Sequence, residues 1–150
     1  MRNTAYSYDQ ISQRLPKLAN KLRNAKRHPI LNLTEGVIRG TLKSPKNDGA
    51  IPGLYGFSKK GSNKFEYIGR TKDLARRIGS DHRSKERNKA AFTYILKRER
   101  NSRGTMQSAR EQFLGNYDVR FIPESDIGVR AVFEVYATLK WRTKNALIEH

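Results

Sequence analysis

The chain has 150 residues, enough for one domain with a modest hydrophobic core. Its 31 lysines and arginines against 14 aspartates and glutamates give a formal net charge of +17, which favours a polyanionic partner, most often nucleic acid. The absence of cysteine excludes disulfides, thiol catalysis and cysteine-bound zinc, and the lack of any long apolar segment predicts a soluble, cytoplasmic protein.

Positive charge is concentrated in the first two thirds of the chain. Residues 1–50 carry a net +7, residues 51–116 a net +10 and residues 117–150 no net charge. We therefore expect the polyanion to contact the first two segments, and the last third to supply core and support. No basic amphipathic helix with an aromatic face stands out, which counts against an anionic membrane as the partner.

The N-terminal segment is predicted to contain one basic helix. Over residues 9–27, apolar residues recur at helical spacing, and Pro16 is expected to split this helix or to begin its longer part. Residues 28–52 contain three prolines and indicate a loop with a turn at 47–49. We expect the helix to contact phosphates of the polyanion, with a structural brace as the alternative. The residues expected to make these contacts are Lys17, Lys21 and Arg23.

The sequence GLYGFSKKGSNKFEYIG, residues 53–69, predicts a β-hairpin. Its strands are expected at 53–58 and 64–69, on either side of a turn centred on Gly61. The basic helix predicted to follow suggests that this hairpin belongs to a polyanion-binding site.

The predicted register of this hairpin places Tyr55 opposite Tyr67 and Phe57 opposite Phe65, so the two tyrosines share one face. Aromatic residues in strands commonly pack a core, and that alternative stays open. However, a glycine lies just outside each tyrosine in the quoted sequence, and glycine in a strand is typical of a close backbone or ligand approach.

Further elements follow the hairpin. Thr71 is a candidate cap for a short helix, residues 88–100 indicate another helix, and residues 101–108 indicate a polar loop. Val119–Ile122 alternates apolar and polar residues, as a short strand does.

A final helix is predicted to begin after Ser125 or Asp126. Glu134 lies on this helix, where it could pair with Arg130 one turn earlier. The residues expected to face inward are Val129, Val132, Phe133, Tyr136 and Leu139. The elements together predict an α+β domain, a small three-stranded sheet flanked by helices, with a basic helical extension over residues 1–50.

A motif extends across this domain. Gly53-Leu54-Tyr55, eleven intervening residues, Tyr67-Ile68-Gly69 and then RTKDLARRI resemble the GIY-YIG nuclease superfamily. The similarity continues through Val119–Ile122 and Glu134 to Asn145, and its pattern is closest to the small group around the GIY-YIG type II restriction enzymes. The resemblance implies a GIY-YIG nuclease core over residues 51–150.

The resemblance also implies a set of site residues. Mg²⁺ (or Mn²⁺) would be held by Glu134 as its single protein ligand, with water and phosphate oxygens completing the shell. Tyr55 would be the general base, provided that surrounding positive charge lowers its pKa from about 10. The expected catalytic residues are Tyr55, Tyr67, Arg77, Glu134, His82 and Asn145, and the other expected DNA-binding residues are Arg70, Lys72 and Arg76.

Several roles stay open at this stage. Arg77 falls where the family's phosphate-binding arginine lies, and Arg76 is the competing assignment. His82 is one position out of step with related enzymes, so it either relays the base's proton or belongs to the basic surface. Asn145 would support the site through hydrogen bonds to substrate or water.

The implied activity is hydrolysis of DNA, most simply double-stranded, by a small restriction-type, phage or mobile-element endonuclease, and a homodimer on DNA is one arrangement open to it. The alternative is a non-catalytic nucleic-acid-binding module that retains the fold. Other nuclease chemistries find little support, since no Glu-x-Lys or Asp-x-Lys triplet occurs in the chain.

Overall fold

A computed structural model describes residues 4–43, 50–84, 90–99 and 105–146. In chain order the elements are α1 Tyr8–Arg23, β1 His28–Pro29, α2 Glu35–Leu42, β2 Gly53–Lys59, β3 Tyr67–Thr71, α3 Leu74–Gly79, a 3₁₀ turn Asp81–Arg83, α4 Ala91–Glu99, α5 Met106–Asn116, β4 Tyr117–Pro123 and α6 Ile127–Trp141. None of the helices in these ranges is long and apolar enough to span a membrane.

The sheet is antiparallel throughout, with strand order β1-β4-β2-β3. The predicted α+β class is confirmed, but the sheet has four strands where three were expected. The additional strand is the two-residue β1, in which His28 pairs with Val119 and Pro29 with Asp118. The three prolines of residues 28–52 concealed it, because so short a pairing has no periodicity of its own.

Helices cover both faces of the sheet. On one face, α1 and α6 pack over a cluster that includes Leu54, Ile68, Ile122 and Phe133. On the other face, α3 and α5 contact the sheet, and α2 and α4 pack beside them, around Tyr55, Phe57, Tyr67, Phe92 and Phe113. Alternation along β2 and β3 sends neighbouring side chains to opposite clusters. The predicted tyrosines therefore face the layer that contains α3.

Helix α1 is continuous through Pro16, so the predicted split is wrong. Ser7 and Gln10 form a capping box at its start. A proline inside a helix costs about 3 kcal/mol. Burial of an aliphatic side chain contributes about 1.5–3 kcal/mol, and this helix buries four of them, which offsets the proline: Ile11, Leu15, Leu18 and Leu22.

Two helices lie partly in segments predicted as loops. Helix α2 occupies part of the predicted loop over 28–52, where Thr34 caps it by accepting a hydrogen bond from the amide of Val37. Helix α5 begins at Met106, after a capping box of Thr105 and Ser108, inside the predicted loop over 101–108. Both helices are short and contain glycine, so their local composition resembles that of a loop. The predicted turn at 47–49 lies outside the described residues.

Details of other helices also differ from expectation. Asp73, rather than Thr71, caps α3, while the hydroxyl of Thr71 accepts a hydrogen bond from the amide of Asp73. Asp126 caps α6, as one of the two predicted alternatives. Leu139 is half exposed rather than buried, because the helix meets the sheet through a narrower stripe than its apolar content suggests.

The hairpin register differs from the prediction by two residues. Tyr55 pairs with Gly69 and Phe57 with Tyr67, because β3 begins at Tyr67 rather than at residue 64. A shift of two keeps every side chain on its face, so the prediction that both tyrosines share one face is confirmed. The connection over residues 60–66 is long, and distant arginines hold its carbonyl groups, which local turn rules do not anticipate.

Candidate active site

Three side chains meet at the hydroxyl of Tyr55. The hydroxyl lies 2.6 Å from Nε2 of His82, and Nε of Arg77 donates to it at 3.3 Å. Tyr55 comes from β2, Arg77 from α3 and His82 from the 3₁₀ turn after α3. Since the guanidinium can only donate, we infer that the tyrosine proton points to Nε2 of a neutral His82. The result is a hydrogen-bonded chain from arginine through tyrosine to histidine.

Tyr67 lies beside this chain on β3. Its ring stacks on that of Tyr55 with centroids 6.2 Å apart, and only 7% of its surface is exposed. The ring of His82 contacts both tyrosines edge-on. The structure therefore brings together four of the expected catalytic residues.

The close fit of Tyr55 depends on Gly69, the residue that pairs with it across the strands. A Cβ atom placed on Gly69 would lie 2.3 Å from Cζ of Tyr55 and 2.4 Å from its hydroxyl oxygen. The missing side chain thus leaves room for the ring to lie across β3. Gly53 is equally constrained, because its Cβ would lie 2.3 Å from the carbonyl oxygen of Ile122.

Burial controls the protonation of this group of residues. Burial raises the pKa of Tyr55 well above 10, the neighbouring Tyr67 adds to the rise, and Arg77 only partly opposes it. The expected lowering of the Tyr55 pKa is therefore wrong in direction. Burial, followed by the charge of Arg77, lowers the pKa of His82 well below 6.5. A protonated tyrosine thus faces a neutral histidine at neutral pH.

His82 is fully buried among aromatic rings, so the alternative that placed it on the basic surface is wrong. The 3₁₀ turn Asp81–Arg83 shifts the residues after α3 relative to a continued α-helix. This shift allows His82, five residues after Arg77, to reach the hydroxyl of Tyr55.

Glu134 lies on α6 at the β3 edge of the sheet. Its carboxylate pairs with Nε of Arg70 at 3.6 Å, and about a third of its side chain is exposed. Burial raises the pKa of Glu134, against the opposing effect of Arg70. The alternative pairing with Arg130 is wrong, because that guanidinium donates to the backbone carbonyls of Glu124 and Ser125.

The arrangement of acidic and histidine side chains decides what kind of metal site the protein could form. Across residues 4–43, 50–84, 90–99 and 105–146, no group of three or more His, Cys, Asp or Glu side chains is placed to hold a metal ion. Mg²⁺ commonly retains several waters and binds through one or two carboxylates together with substrate phosphates. The partly exposed Glu134 fits such a hydrated ion, whereas an all-protein metal cage is not present in this part of the chain.

Asn145 contacts the backbone of β3. Its side-chain amide donates to the carbonyl of Ile68 at 2.7 Å, and its oxygen accepts from the Ile68 amide at 3.2 Å. The hydroxyl of Thr143 donates to the same oxygen. Because β3 is at the edge of the sheet, this amide takes the place of a neighbouring strand. The expected contact with substrate or water stays a prediction.

An open pocket of about 420 Å³ lies next to Arg77. Its wall includes three of the predicted DNA-binding or catalytic cations. Its lining residues are Ala50, Thr71, Lys72, Asp73, Arg76, Arg77 and Asp81. Arg70 is exposed near Glu134. Lys17, Lys21 and Arg23 are exposed on α1, which covers the other face of the sheet, so they do not line this pocket.

Sequence reasoning missed the contribution of α2. Arg39 pairs with Glu35 at 3.3 Å and with Asp73, the cap of α3, at 3.8 Å. Ser80, at the other end of α3, donates to Glu35. Helix α2 therefore holds both ends of the helix that carries Arg77. The signal in the sequence was Thr34, a helix cap preceding an apolar pattern.

Comparison with known proteins agrees with this geometry. Residues 51–108 match the model of the GIY-YIG catalytic domain. The match contains Tyr55, Tyr67, Arg77 and His82, and it ends before Glu134 and Asn145. It supports the GIY-YIG superfamily for this segment and does not distinguish a restriction-type subgroup. No curated protein matches the chain.

Proposed function

We propose that the protein is a Mg²⁺- or Mn²⁺-dependent endonuclease that hydrolyses phosphodiester bonds of double-stranded DNA. The observation that carries the proposal is the hydroxyl of Tyr55, held between Arg77 and a neutral His82 beside a basic pocket. The GIY-YIG match covers these three residues. GIY-YIG nucleases act on DNA, and the +17 charge of the chain suits that substrate.

The protonation states suggest how the base works. A tyrosinate is unfavourable at neutral pH here because burial raises the pKa of Tyr55. In the proposed step, Tyr55 takes a proton from the attacking water while its own proton passes to Nε2 of His82. The water oxygen bonds to phosphorus, and the bond from phosphorus to the leaving oxygen breaks. The leaving oxygen then takes a proton from solvent, and Nε2 of His82 returns its proton to Tyr55 as the tyrosine releases the proton taken from water to solvent.

Two groups would stabilise the charge that develops at phosphorus. Arg77 lies on the pocket wall, and its planar guanidinium suits two phosphate oxygens at once. A metal ion held by Glu134 would supply Lewis-acid stabilisation of the phosphate. Tyr67, next to Tyr55, would hydrogen-bond the water or a phosphate oxygen.

The biological setting is part of the proposal. The resemblance to small type II enzymes supports a restriction-type, phage or mobile-element nuclease in the cytoplasm, and a homodimer would let one complex cut both strands. The alternative is a binding module that retains the fold without activity, which the charge alone would also support.

Plasmid cleavage distinguishes the two functions. The protein is incubated with supercoiled plasmid and Mg²⁺ or Mn²⁺, with EDTA as the metal-free arm. We expect metal-dependent cutting and a loss of about 10²–10⁴ in rate for Tyr55→Phe, Arg77→Ala and Glu134→Ala. Tyr8→Phe is the matched control, because it removes a hydroxyl from a ring that is 70% exposed.

Three results would change the interpretation. If the protein binds the plasmid but cuts it with neither metal, the binding module replaces the nuclease. If all three site variants cut at the wild-type rate, the site assignment is wrong. If only Arg77→Ala keeps full activity, Arg76 is the phosphate ligand.

A further inference from the structure

A second basic surface lies at the turn end of the hairpin. Six exposed cationic side chains lie here, at the end of α1, just after it, at the last residue of β2 and in the β2–β3 connection. We name this surface the hairpin-end patch, and its members are Lys21, Arg23, Lys26, Lys59, Lys60 and Lys64. The active-site pocket lies at the opposite end of β2, where Gly53 pairs with Thr71.

Two arginines, the half-buried Arg27 and the buried Arg120, hold the backbone segments of the patch together. Arg27 donates to the carbonyls of Lys59, at 3.0 Å, and Ser62, at 2.6 Å. Arg120, on β4, donates to the carbonyl of Arg23 at 2.9 Å.

The same Arg120 guanidinium reaches the hairpin connection. It donates to the carbonyl of Asn63 at 3.2 Å and to the hydroxyl of Ser58 at 2.7 Å, and it lies 3.9 Å from the centre of the Phe65 ring. The end of α1 and the hairpin turn are therefore held together in a fixed arrangement before any partner binds.

The charge of this surface is poorly balanced. Asp118 is paired with Arg27. The carboxylate of Glu66 lies 3.9 Å from Nζ of Lys59, but it also accepts a hydrogen bond from the hydroxyl of Tyr117. Arg120 itself has no carboxylate within ion-pair distance among the described residues, although only 2% of it is exposed. Burial, followed by the like charges of Arg27 and Arg23, lowers its pKa to about 10. A bound polyanion would relieve this repulsion.

We propose that the hairpin-end patch is a second contact surface for the phosphate backbone of the DNA duplex, separate from the active-site pocket. The inference rests on the proposed function for the identity of its partner. Lys59 is four residues from Tyr55 on β2, or about 13 Å at ~3.3 Å per residue. That distance corresponds to about four phosphates of one strand at ~3.4 Å each, so one duplex can reach both surfaces.

The composition of the patch favours nucleic acid over a lipid surface. Membrane-binding surfaces combine cations with exposed apolar or aromatic side chains. Among the described residues, the exposed large apolar side chains all lie outside the patch: Tyr6, Tyr8, Leu31, Val37, Ile127, Val135 and Leu139. Contacts from lysines to phosphates position a duplex without reading its sequence. The patch would therefore strengthen binding to all sequences alike.

The test neutralises three patch lysines together. The variant is Lys26→Gln, Lys60→Gln and Lys64→Gln, all at exposed positions. A matched variant, Lys97→Gln, Arg98→Gln and Lys140→Gln, removes the same charge from α4 and α6. Binding of a fluorescent 30-base-pair duplex (about three helical turns) is followed by anisotropy in EDTA across a salt series. Melting temperature confirms folding, and plasmid cleavage at saturating protein is measured separately.

Each lysine that contacts a phosphate contributes about 0.9 to the slope of log K against log salt. We expect the patch variant to lose about 2–3 from this slope and to bind more weakly, while cleavage at saturation and the matched variant's slope stay unchanged. A patch variant with the slope and affinity of the wild type would overturn the proposal. The proposal would also be overturned if the patch variant kept wild-type DNA binding but lost binding to phosphatidylserine vesicles, since that result would assign the patch to membranes. If the wild type binds the duplex through the patch but never cuts plasmid, the patch stands and the proposed nuclease activity fails.

Discussion

Gly69→Ala tests whether the placement of the Tyr55 ring controls the site. The new Cβ would lie 2.3 Å from Cζ of Tyr55, whereas ordinary contact begins at 3.4 Å. The ring or the strand must therefore move by about 1 Å. The tyrosine hydroxyl would move with it, away from His82 at 2.6 Å and Arg77 at 3.3 Å.

The magnitude follows from this displacement. Overpacking a core by one methyl group costs about 1–3 kcal/mol, which corresponds to a fall in melting temperature of about 2–12 °C for a chain of this size. A misplacement of about 1 Å at a reacting group costs about 10²-fold in rate. We therefore expect Gly69→Ala to stay folded with a lower melting temperature and to cut plasmid about a hundredfold more slowly.

Gly115→Ala is the matched control. No atom lies within 4 Å of a Cβ placed there on α5, so the change should stabilise the helix by up to about 1 kcal/mol and leave cleavage unchanged. Both variants are compared in thermal melts and in the initial rate of plasmid nicking. Wild-type cleavage by a folded Gly69→Ala protein would refute the reasoning, because the hydroxyl position would then not limit the reaction.

Three further predictions concern other parts of the site. Glu134→Gln should bind DNA at least as tightly as the wild type, because it removes a negative charge beside the phosphate site, but should not cut; weaker binding in anisotropy would contradict this. Asn145→Ala removes both hydrogen bonds to Ile68, so we expect about 1–3 kcal/mol lower stability in urea melts and a larger loss in kcat than in DNA affinity. The buried His82 has a lowered pKa, so the unfolded chain binds the extra proton first and stability should fall as pH drops below 6.5. His82→Phe should flatten this dependence between pH 6.5 and 5, and an unchanged slope would show that other groups cause it.

The sequence predicted the parts of the fold that are encoded locally. The spacing of Tyr55 and Tyr67 predicted a hairpin with both rings on one face, and Asp126 was one of two predicted caps for α6. The register was missed because Arg27 and Arg120, distant in the chain, fix the carbonyls of the turn. Such long-range contacts leave no periodic pattern near the hairpin.

The electrostatics of the site could not be predicted from charge counts. Nearby arginines suggested a lowered pKa for Tyr55, but the ring is 1% exposed, and desolvation exceeds the effect of Arg77. Tyr55 belongs to a buried cluster that also contains Phe92 and Phe113, which lie on α4 and α5. The sequence-based prediction missed α5, so it could not anticipate the enclosure.

The position of β4 in the sheet has a consequence for synthesis of the protein. Strand β4 lies between β1 and β2 and pairs with β2 at seven positions, yet it begins about 60 residues after β2 ends. At a ribosomal rate of about 5–20 residues per second, β2 emerges some 3–12 s before its partner. Glu134 and Asn145 emerge later still. The nascent chain therefore carries Tyr55 and Tyr67 before Glu134 and Asn145 are made, so under the proposed function it cannot cut nucleic acid near the ribosome until those two residues have emerged.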